Sequence, residues 1–401
     1  MKVTPLGEGV TSDEARAALC QRETPTAEPA AAGPGLAEAL RPVADAVQEI
    51  RTLRFKTPVN PRPVTREQMS RLASRANVAA FPENRMDRRT VAWRTMGVIP
   101  PDADLNEELR SFAGSSIIGY FDTLTKELVY VGSENPTPYE RVTLAHELTH
   151  ALDDQHFDLS RLDELDARCE DDALIAGVSI AEGSARLIEL IYIARELTPQ
   201  EYAQYQQESL AGGSSPEGVS PFLVQLLLFP YPYGQSFVQT TVASEGFDAL
   251  NAAMRALPAS TEQILHPQRF PEDEPTDVDV PDLAPALGDG WADLDVYDVG
   301  EAWLRLALAL KLSSVDAAKA ASGWDGGEYR AWADGGRTAV AMQTVWDDED
   351  QAGEFAKAMR TWLSKTASGA VTRVHRDGAT VTVLWAPAAD ELNAMSGALR
   401  A

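Results

Sequence analysis

Residues 145–152 read Ala-His-Glu-Leu-Thr-His-Ala-Leu. His146 and His150 are four positions apart. An α-helix turns by about 100° per residue, so they sit about 40° from each other and one turn apart. Both imidazoles then leave one face, and their nitrogens can reach a single zinc ion at about 2.0–2.1 Å. Glu147 follows the first histidine and points to the side of that ion. There it can take a proton from water activated at the metal and hand it to a leaving amine. This HExxH pattern also arises by chance on a solvated helix face. Three features oppose chance. The chain has five histidines, and His146, His150 and His156 fall within eleven residues of one another. The neighbours Leu144, Ala145, Leu148, Thr149, Ala151 and Leu152 are uncharged. Glu147 would be a stranded carboxylate in an apolar helix unless a metal site gave it a partner.

The segment TLAHELTHAL resembles the extended zincin signature at each position, from Thr143 to the apolar Leu152. The longer string HELTHALDDQHFDL resembles a group of largely uncharacterised bacterial proteins assigned as metallopeptidases by motif. GYFDTLTKELVYVGS, AEGSARL, FPYPYGQSFV and STEQILHP resemble that group too, and the likeness spans residues 48–390. The resemblance implies a zincin-like fold, a zinc cofactor, and a hydrolase whose substrate is a peptide or protein.

A catalytic zinc keeps three protein ligands and one open position. Two residues compete for the third place. Glu182 lies 32 residues after His150, on the next long apolar helix, where a carboxylate needs a partner. Its neighbours Ala181, Gly183, Ser184 and Ala185 are small, which lets that helix approach the HExxH helix. The arrangement resembles the gluzincin pattern, in which a Glu followed by small residues is the ligand. The bland reading is an ion pair with Arg186, four residues on. His156 lies ten residues after His146, the metzincin spacing. The metzincin turn, however, needs Gly where this chain has Asp153, and no Met has the expected setting beneath the metal; Met254 sits in a helical stretch. If the helix continues past His150, His156 points away, to Asp153 or to backbone. The expected metal ligands are His146, His150 and Glu182, with Glu147 as the catalytic base and His156 as the competing ligand.

These residues need elements to hold them. Residues 117–131 read as a β-hairpin around the polar turn 122–127. A sheet edge above the metal can bind an extended peptide by strand addition, and 129–131 is the candidate strand. A helix from about Tyr139 carries the motif, and 171–197 is a long helix with acids at its start. His266, Tyr231 and Tyr233 are candidates to steady an oxyanion. The bland reading, structural packing, is favoured for all three, since Tyr beside Pro is often loop packing. Helices are expected near Val43, from about Val64, at 221–228 and at 238–257. The last hundred residues change character: a helix at 299–312, a strand at 338–346, a helix at 347–364, and strands at 371–376 and 380–385 joined through Asp377-Gly378. His375 lies on one of them, away from the metal.

The fold class expected is α+β. A flexible segment (1–45, with a Pro/Ala/Gly linker at 24–35) precedes a mostly helical zincin-like catalytic domain with a small sheet (46–290). A small C-terminal α+β domain follows (291–401). The net charge of −26 argues against a nucleic-acid partner. No apolar run is long enough for a transmembrane segment. Two cysteines, Cys20 and Cys169, give no disulfide framework. The first twenty residues lack an apolar h-region, so the chain reads as cytoplasmic as written. The Ala17–Cys20 string leaves an exported or lipoprotein-derived form open. Oligomeric state is not legible. The rival functions are a zinc hydrolase of a non-peptide amide and a non-catalytic zincin scaffold used for binding.

Overall fold

The computed structural model describes residues 10–19, 37–72, 84–212 and 217–400. Cys20 and the linker expected at 24–35 lie outside them. Helices and strands mix along the chain in an α+β fold. The elements that matter here are α1 (Ser12–Leu19), α2 (Arg41–Arg51), β1 (Arg62–Val64), β2 (Gly119–Phe121), β3 (Leu128–Val131), α3 (Pro138–Phe157), α4 (Asp171–Glu196), α5 (Pro199–Gly212) and α6 (Pro230–Glu245). Further on come β4 (Ala292–Asp298), β5 (Trp324–Asp334), β6 (Arg337–Trp346), α7 (Glu349–Ser364), β7 (Val371–Asp377) and β8 (Thr380–Ala386).

Local chemistry fixes the start of α3. The Thr137 side chain accepts from the Glu140 backbone, Glu140 returns a bond to the Thr137 N–H, and Pro138 occupies the first turn, where no N–H is needed. The inner face of α3 packs Leu144, Leu148 and Leu152 against Val43, Val47 and Ile50 of α2 and Ile188 of α4. A buried polar joint fixes the same three helices. Arg51, with no exposed surface, donates to Asp153 at 2.9 Å and to Asn251 at 2.7 Å. The Ser184 hydroxyl donates to the other Asp153 oxygen at 2.6 Å. A buried ion pair of this kind stabilises mainly by comparison with leaving one partner alone.

The small residues around Glu182 divide their work. Ser184 meets α3 through Asp153, as the expectation of a close approach requires. Gly183 faces the other way, towards α6. A Cβ on Gly183 would lie 2.2 Å from the Gly234 carbonyl oxygen, and one on Gly234 would lie 1.9 Å from that of Ser179. Backbone therefore touches backbone where α4 crosses α6, and two glycines permit it.

Several expected elements shift. Val64 does not begin a helix: Arg62–Val64 pairs with β3 in parallel register. Thr65 and Gln68 form a reciprocal cap, which starts the helix at residue 66 and leaves Val64 to the sheet. The stretch FPYPYGQSFV is not a loop but the start of α6, and the helix expected at 238–257 is two helices broken at Gly246, whose φ is 76°. The chain's first segment is not featureless. In α1, Arg16 bonds Asp298 and Glu328 at 2.5 Å each, and the Ser12 N–H donates to Asp279.

The C-terminal sheet has five antiparallel strands in the order β4-β5-β6-β8-β7. Its first two strands escape a reading of the sequence because β4 carries aspartates that look solvated. Two of them find donors inside: Asp293 accepts from Arg330 at 2.6 Å, and Asp295 from Tyr329 at 2.5 Å and Arg89. One hydrophobic cluster joins Ile180 of α4 and Phe237 of α6 to Trp303, Trp346 and Trp385, so the site helix and this sheet share a core. Cys169 is buried and free. Among the described residues no helix is long and apolar enough to cross a membrane.

Candidate metal centre

His146 and His150 lie one turn apart on α3, their ring centroids 4.8 Å from each other. The two Nε2 atoms are 3.1 Å apart. Glu182 Oε2, from α4, lies 3.1 Å from the first and 3.6 Å from the second. Their ligand atoms all fall within 4.8 Å of one another, and among the described residues no other cluster does this.

The chemistry of these donors fits a cation. His146 Nδ1 faces Glu189 Oε2 at 3.2 Å. A carboxylate there only accepts, so Nδ1 carries the hydrogen and Nε2 keeps a lone pair. That lone pair meets a second imidazole nitrogen and a carboxylate oxygen. Lone pairs at such separations repel unless a metal or a proton lies between them. Without the ion the electrostatics recruit protons instead. Burial opposes charge on His146, but hydrogen bonds to Glu182 and Glu189 and the nearby Glu147 overcome it and raise its pKa to about 10. Burial likewise works to raise the Glu182 carboxyl, yet the two imidazoles hold it well below the usual range.

Glu147 is 6 % exposed, and burial pushes its pKa up, with partial relief from the imidazoles. Its carboxylate lies against Gly119 of β2, where a Cβ would come within 2.7 Å of Oε1 and 2.8 Å of Cγ. Two open cavities flank the cluster. One of about 360 Å³ is lined by residues including Ile118, Tyr139, His146, Glu147 and Arg186. The other, about 310 Å³, reaches His150, Glu182 and Tyr120. Gly119, Glu147, His146 and Tyr231 border both.

Of the three oxyanion candidates, the structure brings one to the cluster. Tyr231, in the first turn of α6, shares a cavity wall with Glu182, whose charge holds the phenol above its ordinary range. Tyr233 instead stacks on Phe229 at 4.5 Å, with the Arg305 guanidinium 5.1 Å from its ring. His266 is hydrogen-bonded to Glu301 at 3.1 Å, and neither residue borders the two cavities. His375 sits on β7 opposite Thr382. His156 is turned away because α3 continues unbroken to Phe157. Its Nε2 meets the Arg54 carbonyl at 2.7 Å, and Asp153 is helical and tied to Arg51, so no metzincin turn forms.

Arg186 does not pair with Glu182. It donates through Nη1 to Glu189, and Glu182 is left to the histidines. Glu189 and Gly119 escaped the sequence reading. A signal existed for Glu189: it lies seven residues after Glu182, two turns along, and so on the same face of α4. Gly119 had none, because its closeness to Glu147 is set by tertiary packing. The strand expected at the substrate edge also moves. The sheet order is β1-β3-β2, so 129–131 is central, with Val129 and Tyr130 buried, and the edge strand beside Glu147 is β2.

A family model described as "Domain of unknown function (DUF8575)" matches residues 293–396, the C-terminal sheet and its helices. The matched stretch contains none of His146, Glu147, His150 and Glu182. No curated protein and no solved structure matches the chain.

Proposed function

We propose that the chain is a zinc-dependent metallopeptidase of the zincin type, with the third ligand arranged as in gluzincins. The observation that carries this reading is the convergence of His146, His150 and Glu182 on one point, with the buried Glu147 carboxylate beside them at the junction of two open cavities. His146, His150 and Glu182 hold the ion. When bound, zinc supplies Lewis acidity, polarising the scissile carbonyl and acidifying water. Glu147 takes a proton from the attacking water as its oxygen bonds to the carbonyl carbon. It then delivers that proton to the amide nitrogen as the C–N bond breaks. Tyr231, which borders both cavities, is the residue that would direct a hydroxyl to the oxygen that gains negative charge. The outer edge of β2, which pairs with no strand among the described residues, would give an extended peptide backbone a partner.

The test is cleavage of a proteome-derived peptide library by zinc-loaded protein, with Glu147→Gln as control. Glutamine keeps the shape and removes the basicity, so the variant is expected to hold about one zinc per chain and lose nearly all cleavage. Equal cleavage by both forms refutes Glu147 as the base. A zinc-loaded protein that cuts no peptide leaves a non-peptide amide substrate or a binding scaffold.

A further inference from the structure

The larger cavity has two chemically different ends. Beside the metal cluster it presents carboxylates, Glu147 and Glu189. Further along it presents donors: Arg186 of α4, Tyr139 at the start of α3, and Tyr205 and Ser209 of α5. Arg186 spends only Nη1 on Glu189, and its Nε and Nη2 make no bond among the described residues. The Tyr139 and Tyr205 hydroxyls also make none there, although their rings pack 6.2 Å apart. Arg66, from the helix at 66–72, lies close enough to act on the Tyr139 phenol. The walls also include the apolar Phe112, Ile117 and Val142.

Glu189 takes one nitrogen of a planar fork that lines the cavity, and the other two nitrogens are unpaired among the described residues. Such a fork matches a carboxylate, which it can bind through two parallel N–H groups. Charge balance selects a monoanion. Zinc together with Arg186 offsets Glu147, Glu182 and Glu189, so one added negative charge is tolerated, whereas a dianion would face the two carboxylates at the metal end. We propose that Arg186, with Tyr139 and Tyr205, is the specificity-determining element of the cleft, and that it binds a substrate carboxylate a short way from the bond that is cut. This rests on the hydrolase reading for its context and names the substrate class: peptides with a free C-terminus close to the scissile bond, or with an Asp or Glu side chain there.

The experiment uses the full zinc-loaded chain and matched peptides built on one cleavable sequence from the library. One pair differs in a free or amidated C-terminus, and another in an internal Glu or Gln. Cleavage is measured for wild type and Arg186→Gln with zinc content checked. Binding of the same peptides to zinc-loaded wild type and to Glu147→Gln, alone and combined with Arg186→Gln, is measured by calorimetry; if no library peptide is cut, the pairs are built on a peptide that binds. A charge-assisted bond predicts that the carboxylate member is favoured about 10–100-fold, mostly through KM or Kd. Arg186→Gln should bring that ratio close to one. The pair that shows the effect identifies the source of the carboxylate. A preference that survives in Arg186→Gln, or cleavage with no preference in either pair, overturns the inference and leaves the peptidase reading intact. Preferential binding without cleavage does the reverse. Peptides neither bound nor cut overturn both.

Discussion

Replacing Glu189 by Gln is expected to weaken zinc binding by about 10–100-fold while the protein stays folded. The substitution keeps the shape and removes one negative charge. The oxygen now 3.2 Å from His146 Nδ1 becomes an amide oxygen, which still accepts the N–H but polarises the ring less. His146 Nε2 then becomes a poorer donor and its ring is held less firmly. The Glu189 side chain is only 9 % exposed, so solvent does not screen this loss away. The expected range corresponds to about 1.4–2.8 kcal/mol of metal affinity. Arg186 loses its partner but is partly exposed and can turn to water, so the fold should tolerate the change. The assay is chelator competition at one pH, with folding followed by circular dichroism. Two comparators fix the scale. Glu182→Ala removes a ligand and should lose more affinity than Glu189→Gln, whereas His156→Ala removes one hydrogen bond, worth about 1 kcal/mol of stability, and should bind zinc as the wild type does. If Glu189→Gln binds zinc within about twofold of wild type, Glu189 does not set the basicity of His146. If His156→Ala sheds the metal and Glu182→Ala keeps it, the ligand set is wrong.

Gly119→Ala would place a carbon 2.7 Å from Glu147 Oε1, well inside van der Waals contact; displacing the base by up to about 1 Å is expected to cost about 100-fold in kcat with zinc content unchanged, and full activity would show that β2 yields instead. Asp153→Ala strands the buried Arg51 and should destabilise the protein by about 3–5 kcal/mol in urea denaturation; a loss under about 1 kcal/mol would mean that Arg51 finds another acid. Burial raises Asp172 to about 7 and Asp298 and Glu262 to about 8. The folded state therefore holds more protons than the unfolded state between the ordinary carboxyl range and those values. Stability should fall as pH rises from about 5 to about 8, read as a falling urea midpoint, and a midpoint that rises over this range contradicts the assignment.

What the sequence made legible follows from the range of each signal. His146, Glu147 and His150 sit within one helical turn and a half, and their spacing alone fixes a common face. Glu182 could be chosen because a carboxylate in an apolar helix has few other uses. The hairpin and the C-terminal strands at 338–346, 371–376 and 380–385 were visible because alternation and an Asp-Gly turn are local. What was missed depends on partners far away in sequence. The aspartates of β4 look solvated until Arg330 and Tyr329, on the strand beside it, are seen to donate to them. The inward turn of Tyr231 depends on α6 crossing α4 at Gly183 and Gly234, a backbone contact that no periodicity announces. The edge strand was misplaced because 129–131 is the more apolar run, and the most apolar strand of a small sheet belongs at its centre.

The helix α1 gives the fold a schedule. Arg16 is made early, but its partner Glu328 lies 312 residues further along the chain. At about 5–20 residues per second, synthesis of that interval takes about 16–60 s. For most of that time the basic side chain lacks both Asp298 and Glu328, while the helices around His146, His150 and Glu182 already have most of their neighbours. Closure of the C-terminal sheet over α1 is therefore a late event by construction, and until then α1 stays within reach of any protease or chaperone that meets the growing chain.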